Sequence, residues 1–250
     1  MSSILTNLST WFEGVKAEFI LNFVMKDRWL LLAKGLGNTL LITLLALLLG
    51  TVIGVLIAVI RTTWDNMGHK MHRGPGRALL GIVNGFCQVY ITVIRGTPMV
   101  IQLLIMYYVI FASSSNGLMV ASLAFGINSG AYVAEIIRSG IMSIEKGQME
   151  AGRSVGLNYI QTMWYIIAPQ VLKNVLPTLA NEFIVLLKET SVAGYVAVSD
   201  LTFAGNRIRG VTYSAFMPLI AVALIYLALV MFLTFLVGKL ERRLRQGDNR

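Results

Sequence analysis

The chain has 250 residues, of which 56% are hydrophobic and 13% are charged, and its mean hydropathy is +0.71. A soluble domain carries about 25% charged residues, so this composition excludes an ordinary soluble protein and predicts an all-α integral membrane protein. The net charge of +9 does not indicate a nucleic-acid partner. The basic residues fall between hydrophobic segments, where they set the orientation of the chain in the bilayer.

The extension at residues 1–35 precedes the first apolar segment. Within it Trp11, Val15, Phe19 and Phe23 recur every four residues among polar ones. This spacing predicts an amphipathic helix that lies on the outer surface of the membrane. A loosely ordered extension without a function is the alternative.

Four segments have the length and composition of single membrane spans. A span needs about 20 mostly apolar residues, and three segments meet this requirement directly, namely 36–60, 118–137 and 215–238. The fourth, 177–196, is apolar but contains Glu182, Lys188 and Glu189.

Residues 79–112 are long enough for two spans, or for one long span that tilts or breaks at Gly96 and Pro98. Lys and Arg distinguish these possibilities: they number four in residues 61–78, four in 138–173 and five in 239–250. A single span in 79–112 places all three gaps on one side, which the positive-inside rule makes cytoplasmic. We therefore predict five transmembrane helices, with the N-terminus outside and the C-terminus inside.

Motifs for chemistry are missing from the sequence. It contains no GxxxxGK[ST], so we expect no nucleotide bound through a P-loop of this chain, and no GxSxG or HExxH. His69 and His72 lack a nearby cysteine or carboxylate cluster, and Cys87 is the single cysteine. We therefore expect no metal site, no disulfide, no cofactor bound by this chain and no enzymatic activity.

The stretch EAGRSVGLNYIQTMWYIIAPQ, residues 150–170, lies between two apolar segments but carries charge, glycines and a proline. Glu150 and Ala151 start a short helix, Gly156 ends or bends it, and Pro169 stops the next turn before the chain re-enters the membrane. The pattern predicts a compact helical projection on the cytoplasmic side. An ordinary helical hairpin loop is the alternative.

This stretch resembles the EAA loop of ABC importer permeases, whose pattern is EAA, three residues, Gly, nine residues, Ile, one residue and Leu-Pro. The matching positions are Glu150, Ala151, Gly156, Ile166 and Pro169. Gly152 replaces the last alanine and Ala168 replaces the leucine, changes expected to loosen the short helix. The resemblance implies the type I importer permease fold, with a coupling loop at 141–172 that docks on a separate ATPase subunit dimer. ATP and Mg would then be bound by that partner, and the coupling residues of this chain would be Glu150, Ala151, Gly152 and Gly156.

Three further stretches are similar to polar amino acid permeases of the histidine, glutamine, arginine and glutamate uptake group: RGTPMVIQLLIMYY at 95–108, INSGAYVAEIIRSGI at 127–141 and LLKETSV at 186–192. The family's usual aspartate after the lysine is Glu189 here. The similarity runs from about residue 36 to 245, which gives a permease domain at 36–240 and a basic cytoplasmic tail at 241–250. It implies a subunit of the bacterial cytoplasmic membrane that works with a second permease chain, identical or related. An extracytoplasmic substrate-binding protein would deliver the amino acid.

Charged side chains inside a span usually face a cavity or a partner. An amino acid zwitterion needs an anion for its ammonium and a cation or backbone donors for its carboxylate. The candidate substrate-binding residues are Arg95, Gly96, Thr97, Asn181, Glu182 and Glu189. Glu182 and Glu189 are seven residues apart and share one helix face, and this second acid favours a cationic or neutral substrate. Ion pairs between helices, with Lys188 reaching to the interface, are the alternative.

Two other classes of membrane protein are alternatives to the importer subunit. An ion-coupled secondary amino acid transporter should show internal repeats and broken helices in both halves, and the sequence has no convincing repeat. A channel or a sensory membrane anchor would have little use for the EAA spacing.

Overall fold

The computed structural model describes residues 2–68, 71–72 and 74–246. In this part of the chain helices form and strands do not, as expected where a bilayer requires the backbone to satisfy its own hydrogen bonds. The helices are α1 (Ser2–Phe19), α2 (Trp29–Met67), α3 (Pro75–Gly96), α4 (Met99–Ile105), α5 (Gly117–Met142), α6 (Lys146–Ser154), α7 (Tyr159–Thr162), α8 (Ala168–Glu189), α9 (Leu201–Thr212) and α10 (Phe216–Gln246). His69, Lys70, Arg73 and the last four residues, which belong to the histidine pair and the basic gaps of the sequence analysis, lie outside the described residues.

Four of the described helices are long and apolar enough to cross a membrane: Trp29–Met67, Pro75–Gly96, Gly117–Met142 and Phe216–Leu244. They contain the predicted spans 36–60 and 118–137, and all but the first residue of the predicted span 215–238. Helix α2 begins at Trp29, before the predicted boundary at 35, and its 39 residues reach about 58 Å. Helix α10 continues to Gln246, so the first residues of the predicted tail are helical.

Helices α2 and α5 form the centre of the fold and run in the same direction. A Cβ atom at Gly50 would lie 2.9 Å from the Cβ of Ser129, and one at Gly54 would lie 2.6 Å from the Cβ of Val133. Residue 50 of α2 thus faces residue 129 of α5, and residue 54 faces residue 133. Glycines four residues apart let two helix backbones approach this closely in a membrane.

The segment 79–112 contains one break, at the predicted position. Helix α3 ends at Gly96, Thr97 is extended with φ −120° and ψ 146°, and Pro98 precedes α4. A π-helical turn, Met106–Ile110, follows α4. Of the alternatives that the sequence left open for this segment, the break at Gly96 and Pro98 is the one found.

The expectation that Pro169 stops a helical turn is wrong, and so are the predicted bounds 177–196. A π-helical turn, Met163–Ile167, leads directly into α8, which has Pro169 in its first turn and Pro177 inside it. Proline lacks the N–H of one helical hydrogen bond, and the π-helical turn lies directly before it, so the chain stays helical through Pro169. Helix α8 ends at Glu189 and gives way to a 3-10 helix, Thr190–Val196. It runs antiparallel to α5, since Val175 contacts Gly140 and Glu182 contacts Ser129.

The N-terminal extension forms the helix α1, as predicted, and its far end is anchored on α9. The hydroxyl of Thr212 donates to the Asn22 side-chain oxygen at 2.8 Å, and Phe23 lies in a cluster with Leu201 and Ile208. Trp11 remains exposed. Whether α1 lies on the membrane surface stays a prediction.

Candidate substrate cavity and coupling helix

A polar cavity of about 480 Å³ lies between α3, α5 and α8. Its polar lining consists of Arg95, Tyr132, Glu135, Arg138, Ser139, Ser143, Asn174 and Thr178. Helix α5 and Ser143, the residue that follows it, contribute most of these side chains, because residues 132, 135, 139 and 143 recur at helical spacing on one face. Ligand pockets of about 300–1,000 Å³ are typical for small molecules, so the space suits one amino acid.

The charges of the cavity are mostly basic. The guanidinium carbon of Arg95 lies 5.3 Å from the centre of the Tyr132 ring, a cation–π arrangement. Arg138 forms an ion pair with Glu135 at 2.9 Å. Arg61 of α2 and Arg95 also act electrostatically on Glu135. Two arginines and one carboxylate therefore line the cavity, and this excess of positive charge can accept the carboxylate of a ligand.

Glu182 of α8 contacts α5 about one helical turn away from the residues that line the cavity. Its carboxylate accepts a hydrogen bond from the Ser129 hydroxyl at 3.4 Å, and it lies one turn after Thr178, which lines the cavity. Ser129 and Tyr132 are three residues apart on α5, so the structure brings Glu182 and Arg95 to neighbouring positions on that helix.

The other predicted binding residues lie farther from the cavity wall. Gly96 and Thr97 are exposed at the break beside Arg95, and Asn181 is exposed next to Glu182. Glu189 is half-buried two turns beyond Glu182 and does not line the cavity.

The charges proposed for ion pairs between helices, Arg95, Glu182, Lys188 and Glu189, form no such pair among the described residues. Arg138 and Glu135 do form an ion pair, but both lie in α5 and neither belongs to those four charges. Neither Glu135 nor Arg138 was predicted from the sequence as a site residue. Their spacing of three inside INSGAYVAEIIRSGI was the available signal, because residues three apart on a helix are neighbours.

Helix α6 is the short helix predicted from the EAA-like stretch, and Gly156 ends it. Gly156 has φ +89°, a conformation that strains any residue with a Cβ. The N–H of Leu157 donates to the Gly152 carbonyl at 3.1 Å, and that of Gly156 to the Arg153 carbonyl at 3.0 Å. These two hydrogen bonds form a Schellman motif, which commonly ends a helix at a glycine.

The expectation that Gly152 loosens this helix is wrong. Gly152 is buried, and a Cβ atom there would lie 2.5 Å from Thr162 Cγ2 and 2.9 Å from Ile166 Cδ1. The missing side chain lets α6 lie directly against α7 and the turn that follows it. Gly152 therefore tightens the loop where the alanine of the pattern would not fit.

The C-terminal end of α2 lies beside α6. A cavity of about 580 Å³ between them is lined by Asp65 and Asn66 from α2 and by Met149 and Arg153 from α6, among others. Burial raises the pKa of the Tyr159 phenol, and a hydrogen bond with Asn66 opposes that shift. The end of α2 and helix α6 thus line one cavity, and α7 contacts α2 through Tyr159.

Comparison with known proteins identifies the family. The profile described as "Binding-protein-dependent transport system inner membrane component" matches residues 76–246. The chain belongs to this family. It is therefore a multi-pass permease component of the inner membrane, as the resemblance of the coupling stretch implied.

Curated relatives of this permease carry amino acid names. It is 36% identical over 185 residues to "Arginine transport system permease protein ArtQ" of Bacillus subtilis (strain 168), which covers 68% of this chain and 84% of the relative. It is 38% identical over 169 residues to "Glutamine transport system permease protein GlnP" of Escherichia coli (strain K12), covering 66% and 77%.

Solved structures agree on the permease fold. A chain from "Crystal structure of an amino acid ABC transporter with histidines" superposes with a TM-score of 0.76 at 37% identity and covers 88% of this chain and 97% of its own. A chain of the MetNI methionine ABC transporter in an inward-facing conformation reaches a TM-score of 0.71 at 21% identity, covering 86% and 97%. That second likeness concerns the fold alone.

Proposed function

We propose that this chain is the membrane permease subunit of an ATP-driven importer of polar amino acids. Helix α6 carries the proposal: a nine-residue helix, closed by Gly156 and packed through Gly152, projects between two membrane segments in a chain of an ABC-type permease family. A separate ATPase dimer would bind ATP and Mg and would receive α6, with Glu150, Ala151, Gly152 and Gly156 forming the coupling element. Relatives named for arginine and glutamine transport support amino acids as the substrate class.

The proposed topology has five spans, N-terminus outside and C-terminus inside. In this topology α3 and α4 form one broken span and α8 forms the fourth. The helix directions support it: α5 runs parallel to α2, and α8 runs antiparallel to α5. The extension before α2 then lies outside, the permease domain spans about 36–240 with its coupling loop at 141–172, and the tail at 241–250 lies inside.

The cavity beside α5 is the proposed substrate site. Arg95 would take the carboxylate, with Gly96 and Thr97 at the break as neighbouring donors, and Glu182 would take the ammonium group. Asn181 and Glu189 would lie farther along the path. Two carboxylates on one face of α8 favour a cationic or neutral polar side chain over an acidic one.

The proposed assembly contains more than this chain. A second permease chain, identical or related, would complete the membrane unit, and an extracytoplasmic substrate-binding protein would deliver the amino acid. No cofactor would be held by the permease itself. ATP binding would draw the two coupling helices together and switch the cavity from inside to outside access.

A photo-crosslinking experiment tests the coupling role. A photoreactive amino acid at Gln148, exposed on α6, should form an adduct with the ATPase in intact cells. The same amino acid at Ser115, exposed between α4 and α5, serves as the control and should form none. Absence of an ATPase adduct from Gln148, when the complex is intact by co-purification, would refute the docking of α6.

A further inference from the structure

The break between α3 and α4 leaves backbone carbonyls without their helical partners. In a continuous helix the carbonyl of Ile94 would accept from the N–H of residue 98, but Pro98 has none. An unpaired carbonyl inside a membrane costs several kcal/mol in general. Such a break persists only where other donors replace the missing ones.

Gln102 supplies the replacement. Its side-chain amide nitrogen lies 2.7 Å from the Ile94 carbonyl, 3.1 Å from the Thr97 carbonyl and 2.8 Å from the Thr97 hydroxyl. The Thr97 hydroxyl in turn donates to the Val93 carbonyl at 2.8 Å. One glutamine from the first turns of α4 thus closes the end of α3.

The side-chain oxygen of Gln102 connects the break to α5. The Asn128 side-chain nitrogen donates to the Gln102 side-chain oxygen at 3.0 Å, and Asn128 is only 3% exposed. Tyr132, which lies under the Arg95 guanidinium, is one turn further along the same face of α5. Arg95 is the residue before the break, so the two contacts of the broken segment with α5 lie one helical turn apart.

We propose that Gln102 is a positioning residue for the candidate substrate cavity. By joining the end of α3 to Asn128 it fixes the direction in which α3 ends, and with it the place of Arg95 over Tyr132. Without Gln102 the break would remain, because Pro98 imposes it, but its angle would vary and Arg95 would leave the cavity for part of the time. This inference rests on the proposed role of Arg95 in binding the substrate carboxylate.

The test measures the KM and the maximal rate of uptake in vesicles that contain the full transporter, with arginine and glutamine as probes. Gln102→Leu removes the hydrogen bonds to the end of α3 and the bond to Asn128. It should raise KM about tenfold, because the charge-assisted hydrogen bond between Arg95 and the substrate would be weakened. Gln88→Leu is the matched control, since Gln88 is exposed on α3, and it should keep the wild-type KM. Asn128→Ala, which spares the bonds to α3, should raise KM by a smaller factor and serves as the test if Gln102→Leu does not insert.

A double variant distinguishes a role through Arg95 from a general loss of structure. If Gln102 acts by placing Arg95, then Arg95→Gln combined with Gln102→Leu should have the same KM as Arg95→Gln alone. Multiplication of the two single effects would overturn the inference, as would a wild-type KM for Gln102→Leu when Arg95→Gln is impaired. A wild-type KM for Arg95→Gln would instead overturn the proposed substrate site itself.

Discussion

Replacing Gly152 with alanine would restore the residue that the EAA pattern carries, and we expect it to damage the coupling loop. The methyl group would lie 2.5 Å from Thr162 Cγ2 and 2.9 Å from Ile166 Cδ1. Thr162 is completely buried, and its hydroxyl donates to the Asn158 carbonyl at 2.9 Å. It therefore cannot turn away without losing that hydrogen bond.

The magnitude follows from two opposing contributions. Overpacking of this kind costs about 1–3 kcal/mol, whereas alanine in place of glycine inside a helix contributes about 0.5–1 kcal/mol of stability. The net loss for Gly152→Ala is therefore up to about 2 kcal/mol. Gly147 in the same helix has no heavy atom near its added Cβ within 4 Å, so Gly147→Ala should show the stabilising contribution alone.

Hydrogen exchange of the segment 145–165 in the full chain measures the difference. Local opening should rise up to about 30-fold for Gly152→Ala, since 1.4 kcal/mol corresponds to a factor of ten, and should fall slightly for Gly147→Ala. Thr162→Ser removes the clashing methyl group and keeps the hydroxyl, so the double variant should exchange more slowly than Gly152→Ala. Equal exchange in Gly147→Ala and Gly152→Ala, or no recovery in the double variant, would refute the close-packing argument.

Three other predictions concern coupling, topology and the cavity. Gly156→Ala should destabilise the end of α6 by about 1–2 kcal/mol, because alanine is strained at this positive φ. The ATPase activity should then respond less to loaded binding protein, although the amount of permease in the membrane is unchanged. A normal response would show that α6 has no part in coupling. With the native cysteine replaced, single cysteines at Ser115 and Gln148 should label from opposite sides of intact cells, and labelling of both from outside would contradict the five-span topology. Glu182→Gln should raise the KM for uptake without loss of folded protein, and Glu189→Gln should raise it by a smaller factor. If either variant shows wild-type uptake, the residue it replaces does not lie on the substrate path. If unfolding fully explains the loss of uptake, that residue has a structural role.

The long helices were predictable because their signal is local. The length of the apolar segments was sufficient to predict α2, α5 and α10. Gly156 predicted the end of α6, because the conformation of a glycine at a helix end depends on only a few neighbouring residues. The start of α8 was mispredicted because Pro169 was expected to stop a helical turn, whereas the chain passes from a π-helical turn into α8 at that point.

The side-chain contacts were harder to predict because they depend on which helices meet. From the sequence alone Gly152 is expected to weaken α6. Its packing role follows only from the position of Thr162, which lies where a Cβ atom of residue 152 would be. Gln102 reads as one polar residue in an apolar stretch, and its role follows only from the position of Ile94 and Asn128 around it. Glu135 and Arg138 satisfy each other within one helix, which a search for charges paired between helices does not find.

The central claim is that ATP hydrolysis by a partner drives uptake through this chain. The direct measurement is uptake of labelled arginine and glutamine into vesicles that contain the permease and its ATPase, with loaded binding protein on the outside, ATP sealed inside and all ion gradients dissipated. We predict accumulation that requires ATP and persists without a proton or sodium gradient. Uptake that ignores ATP and follows an imposed ion gradient would contradict the account and indicate an ion-coupled secondary transporter.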